Sequence, residues 1–156
     1  MVIKVGGNMT RLTKDDWAMS LAVITAERAT CRRRKVGAVI LNDKGHVIAT
    51  GYNGNASGLP HCLDYPCEAV SAPSGTNLDG CEALHAEQNA LLQCHNVWTI
   101  DSIYVTCSPC FTCTKLLLNT SCQRIVFLEE YPHTTAKDLW ISAGRSWEQL
   151  NNCLHV

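Results

Sequence analysis

Two short stretches hold residues that could do chemistry together. "YVTCSPCFTC", Tyr104 to Cys113, carries Cys107, Cys110 and Cys113 at even spacing, which reads as two overlapping C-x-x-C pairs. Each pair looks like half of a metal site. Upstream, "LHAEQ" carries His85 and Glu87, two residues apart. Pro109 fits the start of a helix, which puts Cys110 and Cys113 in its first turn and on one face. The positive end of the helix dipole favours thiolate there. Cys107 precedes the proline at the end of a strand, so its direction is set by the strand; it is expected as a bystander in a pocket wall. One histidine and two cysteines make three protein ligands, the number a catalytic zinc uses when it keeps a position for water. Zinc lowers the pKa of that water to ~7. A carboxylate beside it, here Glu87, can take the proton and pass it on.

These residues need a frame. Thr10 to Thr30 reads as a helix, with Thr13 as cap, Asp15 and Asp16 in the first turn, and Trp17, Leu21, Ile24 and Arg28 at helical spacing. Two β-branched runs, Val36 to Leu41 and Val47 to Thr50, flank "NDKG" and predict a hairpin. Asn53 to Gly80 is rich in Gly, Pro, Asn and Ser and reads as a long irregular segment. Glu82 to Cys94 predicts a helix, "SIYVTC" a buried strand, "CFTCTKLLLN" a helix, Arg124 to Glu130 a strand, Thr135 to Ala143 a helix stopped by Gly144, and Ser146 to Leu150 a last short strand. A hairpin followed by βα units gives a mixed sheet of about five strands with helices on both faces. The expected fold class is α/β, a three-layer α/β/α sandwich. Residues 1–156 are expected to form a single domain, its core over about 10–150.

The bulk composition limits the partners. Charged residues make up 17% and the formal net charge is -1, so there is no global pull towards nucleic acid or a membrane surface. Aromatics are scarce at 6%, which argues against a nucleic-acid platform. No apolar run approaches the ~20 residues that span a bilayer. The start, "MVIKVGGNMT", lacks the apolar core of a signal peptide, so a cytoplasmic, reducing location is expected. The triplets at Asn8, Asn55 and Asn119 are then chance glycosylation matches. Ten cysteines in a reducing compartment point to metal rather than disulfides. "CRRRK", Cys31 to Lys35, is either a solvated basic turn or an anion contact.

H-x-E followed by P-C-x-x-C is the signature of zinc-dependent deaminases. With "KVGAVIL", "ATGYNGNASG", "LHAEQNALL", "YVTCSPCFTC" and "RIVFLEEY" in order, the chain from about Trp17 to Gly144 resembles the deoxycytidylate (dCMP) deaminases of the cytidine deaminase-like superfamily. The resemblance implies hydrolysis of dCMP to dUMP and ammonia in deoxynucleotide metabolism. Attack falls on C4 of the pyrimidine, Glu87 protonates N3 and then serves the leaving amino group, and Zn2+ is held by His85, Cys110 and Cys113. It also implies that Asn53 binds the sugar-phosphate part and that the Ser108-Pro109 backbone lies near the amino group. Tyr131 would stack or touch phosphate, and Arg34 and Lys35 would help bind it. Members are often hexamers under dCTP and dTTP control, with effectors around the GYNG loop, here Gly51, Asn53, Gly54 and Gly58.

Cys31, His61, Cys62, Cys67 and Cys81 remain. Four thiolates could close a structural zinc site that pins the irregular segment, and some dCMP deaminases carry a second zinc with ligands in corresponding places. The expected set is Cys31, Cys62, Cys67 and Cys81, with His61 as the substitute; the plain alternative is isolated buried cysteines. Cys94, Cys122 and Cys153 show no partner pattern. Two other functions fit parts of this sequence. One is a zinc deaminase acting on a free nucleoside, a tRNA base or another heterocycle. The other is a zinc-stapled binding module, which would have no use for Glu87.

Overall fold

β1 (Gly37–Asn42) is buried along almost its whole length, as a strand covered on both sides must be. Ala38 and Ile40 point to one face; Val39 and Leu41 point to the other. The computed structural model describes residues 11–73 and 75–151. β1 forms the expected antiparallel hairpin with β2 (Val47–Tyr52). It also pairs antiparallel with β5 (Ile100–Cys107). β5, β6 (Arg124–Glu129) and β7 (Ser146–Gln149) run parallel. The order β2-β1-β5-β6-β7 is the predicted mixed five-stranded sheet.

Helix α1 (Lys14–Ala26) covers one face, packing Ala18, Met19 and Ala22 on Val39, Leu41, Tyr104 and Val126. α2 (Ala86–Gln93), α3 (Phe111–Leu118) and α4 (Thr135–Ser142) cover the other. From them Ala86, Ala90, Leu117 and Trp140 join Ile40, Ile103, Val105, Ile125 and Phe127 in the larger core cluster. The three layers are as expected. α1 is shorter than predicted: Thr10 lies outside the described residues, and after Ala26 the chain turns so that Thr30 N–H donates to the Asn53 carbonyl at 3.1 Å.

The N-terminal side of α2 also departs from expectation. Ala83–Leu84 does not open the helix but forms a short strand, β4, paired with β3 (Gly54–Asn55). The pairing holds the chain extended until His85, so the helix begins at Ala86. At the other end of the site, Pro109 follows the carboxyl end of β5 and α3 begins at Phe111. Open α/β sheets place ligands at such strand ends.

Candidate metal centre and active site

His85 is the N-cap of α2, with extended backbone and its N–H donated to Gln88 Oε1 at 2.8 Å. Cys110 is the N-cap of α3, and its sulfur accepts the backbone N–H of Cys113 at 3.5 Å. Two helix starts therefore face each other across the end of β5. His85 Nδ1 lies 3.5 Å from Cys110 Sγ and 3.4 Å from Cys113 Sγ. Bonds of about 2.0 Å to nitrogen and about 2.3 Å to sulfur at the tetrahedral angle require about 3.5 Å between such donors. The three donors thus fit a zinc ion. Among the described residues they are the one set of three or more His, Cys, Asp or Glu donors whose ligand atoms lie within 4.8 Å of one another.

The charge states point the same way. The hydrogen bond from Cys113 holds the Cys110 thiol down at about 4, with His85 adding to the effect. The same contact pushes Cys113 far up, because a second thiolate beside the first is repelled. Two sulfurs this close can both ionise only around a cation. Glu87, in the first turn of α2, is 4% exposed. Burial pushes its carboxyl up to about 7, against the attraction of His85. It lies against Cys113, beside the donors and outside their set. A buried carboxyl of that kind suits proton transfer near neutral pH.

His85, Cys110 and Glu87 line a cleft of about 620 Å³ that opens to solvent. Cys107 is in its wall, as expected, and burial pushes its thiol up to about 11. Asn53 also lines the cleft, but its amide is engaged: Oδ1 accepts the Val36 N–H at 2.8 Å and Nδ2 donates to the Arg34 carbonyl at 2.7 Å. Ser108 Oγ accepts the Tyr131 N–H at 2.6 Å, which fixes Tyr131 at the cleft side. Arg34 reaches the cleft and pairs with Glu129. The structure does not bring Lys35 there; its Nζ pairs with Glu27 at 3.0 Å and lines a separate depression. Arg33 does line the cleft. Sequence reasoning chose Arg34 and Lys35 instead, because the spacing in "CRRRK" does not say which cation turns inward.

Of the remaining cysteines, Cys62 and Cys67 place their sulfurs 3.9 Å apart, and Cys31 and Cys81 both line the cleft. The four sulfurs do not close into a set of three within 4.8 Å. In the GYNG loop, Gly51 lies under α2, Gly54 lies against Thr30, and Gly58 has positive φ with open space around it. No helix among the described residues is long and apolar enough to cross a membrane.

Residues 12–129 match the model of the cytidine and deoxycytidylate deaminase zinc-binding region. The chain belongs to this family. The donor set and the family agree on zinc as the metal. The deoxycytidylate deaminase of Mycobacterium phage D29 is 36% identical over 128 residues, 78% of this chain and 99% of that protein. ComE operon protein 2 of Bacillus subtilis is 35% identical over 147 residues, 91% of this chain and 74% of that one. The dCMP deaminase of cyanophage S-TIM5 superposes in its apo form with a TM-score of 0.70 at 26% identity, over 90% of this chain and all of that one. Its complex with dCMP and dUMP superposes at 0.65 and 28% identity, over 85% and 93%.

Proposed function

We propose that this chain catalyses the hydrolytic deamination of dCMP to dUMP and ammonia, with Zn2+ held by His85, Cys110 and Cys113 and with Glu87 as the proton carrier. The observation that carries the reading is a buried carboxyl, Glu87, beside a three-donor His/Cys/Cys set at the floor of a cleft. Zinc, when bound, supplies a Lewis acid that makes water nucleophilic near neutral pH. Glu87 would take a proton from the attacking water, pass it to N3 of the base, and then serve the departing amino group at C4. Its burial keeps bulk water from competing for the proton. Asn53 ties the Arg34–Val36 backbone to β2 and so shapes the cleft from behind. Ser108 and Tyr131 form its side wall.

The choice of dCMP is supported by the named relatives and by the S-TIM5 complex with dCMP and dUMP. Its test is ammonia release from dCMP, cytidine, deoxycytidine and tRNA. Strong preference for dCMP over the other three supports the reading; efficient turnover of a free nucleoside would sink it.

Three further features belong to the same proposal. A second zinc would sit on Cys31, Cys62, Cys67 and Cys81, with His61 as the substitute. Its support is the Cys62–Cys67 separation of 3.9 Å, about that of two thiolates on one tetrahedral ion. Two zinc ions per purified chain are expected, and one would remove this site. Activation by dCTP and inhibition by dTTP in a cytoplasmic homo-oligomer, a hexamer favoured, rest on the family resemblance. Sedimentation and a dCMP assay with each effector test them.

A further inference from the structure

The basic run from Arg32 to Lys35 is pulled four ways. Arg32 donates to the Leu63 carbonyl at 3.0 and 2.6 Å, away from the cleft. Arg34 is paired with Glu129 and Lys35 with Glu27. Arg33 differs from Arg34 and Lys35: among the described residues it has no carboxylate partner. Its Nη1 donates to the Ala69 carbonyl at 3.1 Å and to the Thr76 carbonyl at 3.3 Å. Carbonyls orient a guanidinium but do not cancel its charge. Its Nε and Nη2 have no partner among the described protein groups, and the side chain lines the cleft above His85 and Glu87. Of the two arginines in that wall, Arg33 is the one whose charge is not paired.

The segment that holds Arg33 also packs on the same cleft. A Cβ built on Gly75 would stand 3.1 Å from Tyr131 Oη and 3.0 Å from His133 Nε2. Gly75 has φ of +79° and directly precedes Thr76. Arg33 thus holds the Ala69 and Thr76 carbonyls at the cleft wall, and Gly75 approaches the same wall at Tyr131. A guanidinium braced from behind by two carbonyls offers its open edge as a fork, the geometry that suits a phosphate dianion.

We propose that Arg33 recognises the 5′-phosphate of the substrate and is the residue by which this site prefers a nucleotide to a nucleoside. The inference rests on the deamination reading above and adds to it the group that selects the phosphate. A nucleoside in the cleft leaves Arg33 facing water and gains nothing from it. A nucleoside monophosphate gains a charge-assisted, two-pronged contact that Lys35, engaged with Glu27, is not placed to give.

The test is the ratio of kcat/KM for dCMP to that for deoxycytidine, in the wild type, Arg33→Gln and Arg33→Lys. In Arg33→Gln the dCMP value should fall roughly tenfold to a hundredfold, mostly through KM, with the deoxycytidine value unmoved. Arg33→Lys should recover part of the loss, since it restores the charge but not the fork. An equal fall on both substrates would make Arg33 a brace for the Ala69 and Thr76 carbonyls only and overturn the proposal, as would an unchanged KM for dCMP. If Arg33→Gln does not fold, as judged by zinc content and melting, inorganic phosphate is titrated as a competitive inhibitor of the wild type and Arg33→Lys. Weaker inhibition of the lysine variant supports the proposal, and equal inhibition overturns it. Wild-type turnover of dCMP is measured first. Its absence would overturn the deamination reading itself, while the phosphate titration still reads Arg33 on whichever base is turned over.

Discussion

Gly51 on β2 lies directly beneath Ala86, the first residue of α2: a Cβ at Gly51 would fall 2.2 Å from the Ala86 carbonyl oxygen and 2.4 Å from Ala90 N. The helix that presents His85 and Glu87 rests on bare strand backbone at that point. Gly51→Ala must therefore push α2 away from the sheet. We expect a loss of about 1–3 kcal/mol of stability, the usual range for overpacking. Zinc affinity should fall with it, because His85 moves relative to α3. Thermal melting and metal content of the purified variant check both. An alanine variant that melts like the wild type and keeps its zinc would show that α2 does not need this contact.

Glu87 and the zinc donors should separate cleanly by mutation. Glu87→Gln removes the proton carrier and leaves all three donors, so zinc content and melting should match the wild type. Turnover of dCMP should fall by roughly 10²–10⁴, the usual contribution of a positioned acid–base group. A binding module would show no such separation, having no turnover to lose. Full activity in Glu87→Gln would remove the mechanism proposed for this site.

The cysteines of "YVTCSPCFTC" should likewise divide. Burial keeps the Cys107 thiol protonated at neutral pH, so Cys107→Ala should retain the metal and lose only packing. Cys113→Ser removes one of three donors and should release zinc to a mild chelator that leaves the wild type loaded. Metal content after dialysis against that chelator distinguishes the two. Retention of zinc by Cys113→Ser and loss by Cys107→Ala would reverse the assignment.

That division was legible in the sequence because one residue, Pro109, fixes it: strand before, helix after. The same holds for the sheet, whose buried runs at Val36–Leu41 and Arg124–Glu129 permit few other placements. The start of α2 was not legible. Ala83 and Leu84 are good helix formers, and only their pairing with Asn55 and Gly54, some 28–30 residues away, holds them extended. The roles within "CRRRK" were hidden for a related reason. Arg33 is turned inward by carbonyls at Ala69 and Thr76, which no local pattern announces.

A last prediction concerns the face opposite the cleft. Arg124 on β6 grips Asp15 of α1 with two bonds of 2.8 and 2.7 Å, and Tyr104 donates to the same carboxylate at 2.6 Å. Arg124 also holds Glu148 on β7 at 2.8 and 2.6 Å, so one guanidinium joins α1 to two strands. The Arg124 bond holds the Asp15 carboxyl down at about 2, with Tyr104 helping and burial opposing. A group depressed in the folded state gives stability that is complete above its unfolded pKa of about 3.9 and is lost as pH falls towards the folded value. Asp15→Asn should therefore cost on the order of 1–2 kcal/mol at pH 7, allowing for partial solvent screening. It should also flatten the stability profile between about pH 4 and pH 2. Denaturant unfolding of both proteins across pH 2–7 measures this. Parallel wild-type and Asp15→Asn curves through that window would show that Asp15 is not a source of the acid sensitivity, whatever its geometry.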